Sequence, residues 1–570
     1  MTDAYTGVQV SPGPGFIDGT DDKNKQTDIK LTKIFGDFEL KVGYSQEKLE
    51  HKGGNTYQGP AGFVDPHVGA TGQPYSSGAL VSKRYYVTGD ISAVATGDVL
   101  PLSRVGTYYR ITRARTTPPL IPTEAPWKSY FIQGKYNWNN RLFIKAGFRW
   151  DEEDMKGLQT NYKFKAADAM APRISITWDP EANGRNKIYA FYGKYFEKVP
   201  LDLAQRSLSA EVGVSRSDFY NINAAFNQLS NPIQTGVKVF EINPATGLVG
   251  TSTTTHFTGS VGFLTPVLPG TKLPFTNEYV LGWDMQPMEG MTISNRFIHR
   301  NAGRVLEDLG IDGGNSLPYY IGNPGENTWQ LAAEALKLDP TLAGSGSTAT
   351  WPTPKRDYWA YEFEMQKQGK HWSGFINIRL SRLEGNYEGL FRNDNGQSDP
   401  NITSLFDFSL EYLKMQEHDH GRGLTGEEHF AAGPLPNDRA VIANAGVTYS
   451  MDNGLSLSVL SRFQTGTPLS KFYGLIDYDN AGELAAGGRG AQGRTPSTIN
   501  FDFSGQYVMK FANKHSLTFR ADVFNLFNVH KPTAYDQNAE NSVDVPNANY
   551  GNIAAYQTAR RIRLGVKYQF

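Results

Sequence analysis

The chain has 570 residues and a formal net charge of −1, with 56 Lys and Arg against 57 Asp and Glu. This balance gives no basic surplus of the kind that predicts a nucleic acid as partner. The absence of Cys excludes disulfides and cysteine-based metal sites. Mean hydropathy is −0.46, and no apolar run approaches the roughly 20 residues of a membrane-spanning helix.

Aromatic and glycine residues are abundant: aromatic residues make up 12% of the chain, and there are 59 Gly. A polar average with many aromatics is typical of a membrane β-barrel, because only alternate strand residues face lipid and the loops are polar. A soluble all-β protein has a similar average. Composition alone therefore does not decide between these two classes.

The predicted elements are pairs of alternating strands joined by short turns, beginning with the pattern at 38–44. The clearest pair is 127–136 and 142–150, joined by a turn at 137–140. Side chains in a strand point alternately to opposite faces, so this pair has one apolar and one polar surface. The later segments with the same alternation are 279–297, 359–380, 441–459, 499–523 and 562–570.

The connections alternate in length along the chain. Short turns are predicted near 35–37, 137–140, 179–186, 287–290, 367–370, 451–454 and 512–514. Long loops are predicted near 48–126, 152–170, 197–275, 301–355, 382–437, 465–497 and 528–557. Outer-membrane barrels have this asymmetry, with short periplasmic turns and long extracellular loops. The sequence therefore predicts a transmembrane antiparallel β-barrel with about 15 strands of roughly ten residues.

The number of strands is odd in this prediction. If the short turns are periplasmic, the last strand and the first strand, near 26–35, both run toward the periplasm. Single-chain bacterial barrels have even strand numbers, so we expect strands to be missing at the N-terminal side. The start of the chain also lacks the basic and apolar regions of a signal peptide. We therefore expect a fragment or a late start, with 1–25 as a loop or truncated segment and 26–570 as the barrel.

Two loop segments have helical periodicity. Residues 328–338 place Leu331, Ala335 and Leu338 on one side of an amphipathic helix. Residues 402–415 form a second candidate. We expect both to be short helices that pack within long extracellular loops.

Several motifs resemble those of TonB-dependent outer-membrane receptors. Ala521–Asn528 and Arg560–Phe570 are similar to the last two strands of that family. Leu435–Arg439 is similar to its pattern before a descending strand. Tyr192–Pro200 and Leu383–Tyr387 resemble the Oar-like group. The resemblance covers about 25–570, and it identifies the chain as the barrel portion of an Oar-like receptor.

The resemblance implies a barrel of about 22 strands in the outer membrane of a Gram-negative bacterium, with a plug and a TonB box. Oar-like members also carry a carboxypeptidase-regulatory-like domain before the plug. The sequence contains none of these parts, so we expect the plug and about seven strands to lie outside it. The implied activity is ligand capture by extracellular loops, followed by transport energised by the TonB complex. Neither enzymatic activity nor a cofactor is expected.

The final strand also resembles the signal read by the barrel-assembly machinery, which ends in an aromatic residue after alternating apolar positions. Five residues carry that pattern: Ile562, Leu564, Val566, Tyr568 and Phe570.

Three polar clusters are candidate metal sites. Glu417-His418-Asp419-His420, with His429 nearby, offers zinc ligands, although two ligands at such spacing do not make a site alone. Asp151-Glu152-Glu153-Asp154 offers calcium ligands. Asp394, Asn395 and Asp399 resemble half a calcium loop. In each case we favour the simpler interpretation, which is a solvated loop tip at His418 and His420, a solvated rim at 151–154 and a turn at 394–399. No metal site is therefore predicted.

Two groups of aromatic residues have different expected roles. Those at strand ends, namely Trp127, Trp150, Tyr358 and Trp372, are expected in the aromatic girdle at the membrane interface. The loop residues Tyr319, Tyr320 and Trp329 are candidate ligand contacts, and packing within the loop is an equal alternative.

Two rival functions share much of this pattern. A passive porin or adhesin barrel has the same strands without a plug. A soluble β-rich carbohydrate-active protein requires polar residues on the outer strand faces. No catalytic motif favours an enzyme.

Overall fold

The structure is a computed structural model. It describes residues 2–3, 15–58, 80–117, 123–156, 164–201, 212–222, 229–230, 238–254, 257–261, 267–310, 319–325, 337, 353–389, 432–473, 484–485, 488–511, 515–542 and 545–570.

The main feature is one antiparallel meander of fifteen strands, here called the wall, in which each strand pairs with the next in the chain. Its strands are β1 (Gly15–Phe35), β2 (Phe38–Gln58), β3 (Thr123–Trp138), β4 (Leu142–Met155), β5 (Phe164–Trp178), β6 (Asn186–Phe196), β7 (Phe275–Met288), β8 (Met291–Arg304), β9 (Arg356–Gln368), β10 (Trp372–Gly385), β11 (Val441–Ser450), β12 (Leu455–Gln464), β13 (Thr498–Lys510), β14 (Ser516–Phe524) and β15 (Arg561–Gln569). The predicted strand number and all-β class are confirmed.

The two ends of the wall differ, as the connection lengths predicted. At the turn end, Gly36 and Gly454 have φ values of +56° and +89°, and Asn139 and Asn140 have 53° and 56°. Gly and Asn are the residues that adopt this left-handed conformation at low cost, which explains the tight turns. The long connections all leave the opposite end, here called the loop end. The predicted turn at 512–514 lies outside the described residues.

The wall has an apolar outer face and a polar inner face. In the β3–β4 pair, Ile132 lies opposite Phe148 and Tyr130 opposite Trp150, and all four are 42–47% exposed. A register shifted by one residue would turn these side chains inward, so the pairing is strongly specified. Soluble proteins rarely expose apolar surface on this scale. The soluble rival required polar outer faces, and the wall does not have them.

Aromatic residues form a row across the outer face near the loop end. Tyr192 and Tyr279 have ring centroids 5.0 Å apart, and His299 and Trp359 stack at 3.8 Å. Trp372 is also on the outer face and 43% exposed, but it begins β10 and therefore lies at the turn end, outside this row. Amphipathic rings favour the boundary between lipid and water, so the row marks one border of the apolar band.

Two residues expected in that girdle lie on the inner face, so the prediction is wrong for them. Trp127 is only 5% exposed. Tyr358 is half-buried, and the Arg300 guanidinium lies 5.9 Å from its ring centroid. Each of these two residues is next in the chain to a residue whose side chain points outward. Because side chains alternate between the two faces of a strand, its own side chain points inward.

The long connections fold largely as β-structure in the part of the chain that the structure describes. Leu80–Val87, Val105–Thr117, Val212–Ile222 and Lys238–Ile242 belong to a second sheet, and Leu102–Arg104 is a 3-10 turn. The expected helix at 402–415 lies outside the described residues, and that at 328–338 is described only at Lys337. Among the described residues, no helix is long and apolar enough to cross a membrane.

The first wall strand begins earlier than expected. β1 starts at Gly15 rather than near residue 26, and it pairs with β2 from Gly15–Gln58 to Phe35–Phe38. The sequence prediction used apolar alternation, which is needed only where a strand faces lipid. Backbone pairing continues beyond that region because each strand satisfies the other's polar groups.

We predict that an arginine on the outer face destabilises the wall and that one on the inner face does not. Phe297 is 57% exposed on the outer face of β8, and Phe297→Arg should cost about 2–4 kcal/mol near the membrane midplane. The measurement is the urea unfolding midpoint in lipid vesicles.

Ser294→Arg on the same strand is the matched control. Ser294 lies between Asp284 and Glu364 of the neighbouring strands, where a guanidinium has carboxylates nearby. Equal destabilisation by both variants would show that the outer face is not in contact with lipid.

Candidate functional site

The inner face carries charged side chains that form networks across strands. The Asp522 carboxylate accepts hydrogen bonds from Ser504 Oγ at 2.6 Å, Arg520 Nε at 2.9 Å and Arg563 Nη2 at 2.7 Å. Also on the inner face, between β6 and β7, Lys187 Nζ lies 2.7 Å from the Asp284 carboxylate. Charged side chains lining a lumen suit a path for polar molecules and are rarely found against lipid.

The inner face at the loop end carries a small apolar cluster, here called the loop-end core. It joins residues of β3, β4 and β5 to the bases of the following long connections. Its buried members are Ala125, Trp127, Met155, Phe164, Ala166, Ala169, Val199, Val267, Leu273, Leu306 and Ile321. The core fixes where these long connections leave the wall.

The acidic run at 151–154 lies beside this core, and the expectation of a solvated rim is wrong for two of its members. Asp151 is 3% exposed and Glu153 is 1% exposed, whereas Glu152 and Asp154 are partly exposed. β4 extends to Met155, so alternate side chains turn inward. Four carboxylates on opposite faces cannot converge on one calcium ion.

Asp151 is held in a compact polar network. Its carboxylate accepts hydrogen bonds from Ser129 Oγ at 2.6 Å and from Arg149 Nε at 2.7 Å. The Trp127 indole donates to Ser129 Oγ at 2.9 Å. These bonds satisfy a buried carboxylate that would otherwise be costly.

Glu153 has weaker compensation. The backbone amide of Val199 donates to its carboxylate at 3.2 Å. Burial raises the pKa of Glu153 to about 8, against the opposing effects of the Val199 amide and the Lys198 charge. Glu153 lies beyond Trp150, which is exposed on the outer face, and so lies outside the membrane-spanning part of β4. At neutral pH it is largely protonated, which lets it lie beside the loop-end core.

The segment Leu435–Arg439, here called the clasp, connects the wall to the long connections. The Leu383 amide donates to Asp438 Oδ1 at 2.7 Å, and the Arg494 guanidinium pairs with Oδ2 of the same carboxylate. Arg439 donates to the carbonyl oxygen of Thr465. The segment therefore fixes the approach of the chain to β11.

A polar cavity of about 240 Å³ opens beside this clasp, and we call it the arginine pocket. Its charged lining consists of four arginines and one aspartate: Arg300, Arg356, Arg379, Arg439 and Asp438. Sequence reasoning missed it. The alternation places Arg379 on the inner face between Ile378 and Leu380, but only the register of four strands shows which arginines meet.

The residues proposed from sequence as ligand contacts or metal ligands have different positions. Tyr320 is 2% exposed and packs within its loop, so contact with a ligand would require that loop to move. Tyr319 lies in a short strand paired with Glu307–Gly310. Trp329, His418 and His420 lie outside the described residues. In the described part of the chain, no three His, Asp or Glu side chains come together as metal ligands.

The five residues of the proposed assembly signal point to the outer face of β15. Ile562, Leu564, Val566, Tyr568 and Phe570 are 56–91% exposed. β15 is an edge of the wall, and in the described part of the chain it pairs only with β14. Recognition of this strand by the assembly machinery stays a prediction.

We predict that the loop-end core weakens as pH rises through the range that Glu153 controls. The folded pKa of about 8 lies above the ordinary value of 4.5, so the folded chain keeps a proton that the unfolded chain loses between these values. Stability from this group therefore falls as pH rises from about 4.5 to 8. Glu153→Gln should match the wild type near pH 5 and should better protect the Lys156 amide, which donates to the Glu124 carbonyl beside the core, near pH 9, measured by hydrogen exchange at each pH.

Glu152→Gln is the control for that experiment, because Glu152 is only partly buried and its carboxylate lies 3.6 Å from Lys165 Nζ. It should keep the pH dependence of the wild type. A pH dependence that persists in Glu153→Gln would contradict the assignment.

Comparison with known proteins places the chain beside one curated relative. No protein-family model matches it. The TonB-dependent transporter Oar of Myxococcus xanthus is 27% identical over 633 aligned positions, which cover 99% of this chain and 52% of the transporter. The chain thus spans about half the length of that relative.

Comparison with solved structures also returns two bacterial proteins. The FrpB iron transporter of Neisseria meningitidis is 10% identical, with a TM-score of 0.44 over 96% of this chain and 64% of that one. The siderophore receptor PiuA of Acinetobacter baumannii is 10% identical, with a TM-score of 0.42 and the same coverage. The Oar-like resemblance seen in the motifs is confirmed by the alignment: the chain is related over nearly its whole length to a TonB-dependent transporter of the Oar group.

Proposed function

We propose that the chain forms the wall of an outer-membrane conduit that works as a TonB-dependent receptor. The observation that carries this proposal is the division of the fifteen strands into an apolar outer face and a charged inner face. Lipid accepts the first surface, and a polar ligand can move along the second. The similarity to the Oar transporter over 99% of the chain supports the same function.

The long connections are the parts that capture ligand in this proposal. These connections leave the wall at one end, where the loop-end core and the clasp hold their first residues in place. A rigid base with variable loops is how binding residues are commonly presented. The TonB complex would then supply the energy for transport, and enzymatic chemistry is not part of the proposed role.

The absence of Cys allows the membrane topology to be tested with single cysteines. Ala245→Cys lies in an exposed turn of a long connection, and Glu289→Cys lies in the exposed turn between β7 and β8. A membrane-impermeant maleimide should label the first in intact cells and the second only after the outer membrane is permeabilised. Equal labelling of both in intact cells would contradict the orientation.

An inner-face cysteine separates an energised receptor from the passive porin. Ser373 lies on the inner face of β10 near the turn end, between Gln368 and Thr448. A small maleimide added outside should label Ser373→Cys faster in energised cells with TonB than in cells lacking TonB or treated with a protonophore. Labelling that is the same in all three would support a passive pore and refute the proposal.

A further inference from the structure

The arginine pocket contains more positive charge than the described part of the chain neutralises. Arg300 pairs with Glu278, and the pocket's aspartate, Asp438, pairs with Arg494. Arg439 donates to a backbone carbonyl, which carries no full charge. Arg356 and Arg379 make no ion pair with any described residue, so in this part of the chain two lining guanidinium groups have no ion-pair partner.

The two guanidinium groups also have unused hydrogen-bond donors. The Nε atoms of Arg356 and Arg379 are buried and, among the described residues, have no acceptor. Native structures pair nearly all buried donors, and an unpaired one indicates a group that is satisfied by something else. Glu362 lies opposite Arg379 in the register, but its carboxylate lies 3.2 Å from Arg296 instead.

Electrostatics within the pocket point the same way. The pKa of Arg439 is lowered by burial first and then by the charges of Arg462, Arg379 and Arg494. The neighbouring guanidinium charges, that of the pocket residue Arg379 among them, therefore repel the charge of Arg439. An anion placed among these arginines would relieve that repulsion and accept hydrogen bonds from the Nε–H groups of Arg356 and Arg379.

We propose that the arginine pocket binds an oxyanion group, either a carboxylate or a phosphate, carried by a molecule that enters the lumen from the loop end. The fork of N–H donors on arginine matches the two oxygens of such groups. The cavity of about 240 Å³ fits one such group with its immediate substituents. The proposal rests on the proposed function for the route of entry, whereas the site itself does not depend on transport.

The position of the pocket explains why it would select a ligand. Arg356 begins β9 and Arg439 precedes β11, so the pocket lies where the inner face meets the loop end. The aromatic ring of Tyr358 forms a flat part of the pocket lining beside Arg300. A ligand would therefore meet this site early in its passage, with its acidic group on the arginines and its remaining part in the lumen.

The test is calorimetric titration of the purified, detergent-solubilised protein with two probes, inorganic phosphate and tricarballylate. The tricarballylate arm reports a carboxylate site, and the phosphate arm reports a phosphate site. Binding of at least one probe is expected, with affinity that falls as salt rises. Arg379→Gln should weaken it roughly tenfold or more, because a hydrogen-bonded charge is lost. The affinity of Arg379→Lys should lie between that of the wild type and that of Arg379→Gln.

Arg520→Gln is the matched control, since Arg520 is an inner-face arginine paired with Asp522 far along the wall. It should leave affinity unchanged. Arg356→Gln serves as the second pocket variant if Arg379→Gln does not fold, with heat-modifiable gel migration as the check on folding.

Binding lost in the pocket variants and kept in Arg520→Gln supports the site. Failure of both probes to bind, or equal loss in the control, overturns it. Neither outcome alters the labelling results expected for the conduit, so failure of this site is distinct from failure of the proposed function.

Discussion

The wall depends on one constraint: a strand within lipid must give every backbone N–H and C=O a partner on a neighbouring strand. The long ladders meet it. β9 and β10 pair without interruption from Arg356–Gly385 to Gln368–Ser373, and β1 and β2 pair along 21 residues each. Since the backbone is satisfied within the sheet, the side chains are free to divide between lipid and lumen. The apolar exposure of Phe297 and the charge of Arg296, one residue apart, are consequences of that division.

The charged groups therefore lie on the inner face, and they fall into two kinds. Some are satisfied within the sheet, as Asp522 is by Ser504, Arg520 and Arg563. Others are not satisfied in this way: Glu153 keeps its proton because burial raises its pKa to about 8, and the Nε donor of Arg379 has no acceptor among the described residues. Groups of the second kind mark positions that respond to pH or to a ligand, and both lie near the loop end.

The same end is where the wall is joined to its long connections. The Asp438 carboxylate receives the Leu383 amide and the Arg494 guanidinium, and a buried ion pair joins Arg489 to Glu388. Breaking one partner of a buried pair leaves an uncompensated charge, so such pairs hold segments in a fixed arrangement. In the proposed function, connections anchored in this way present a ligand directly to the inner face at the arginine pocket.

The sequence by itself determined the fold class, the strands, the turn end and the family resemblance, because a period of two and short turns are local properties of the chain. It also contained the parity that turns Trp127, Tyr358, Asp151 and Glu153 inward, although residue type alone suggested a girdle and a solvated rim. Only the tertiary structure decided which inward residues meet. Arg300, Arg356, Arg379 and Arg439 come from separate strands and a loop, and the cross-strand register that gathers them depends on pairing between distant segments.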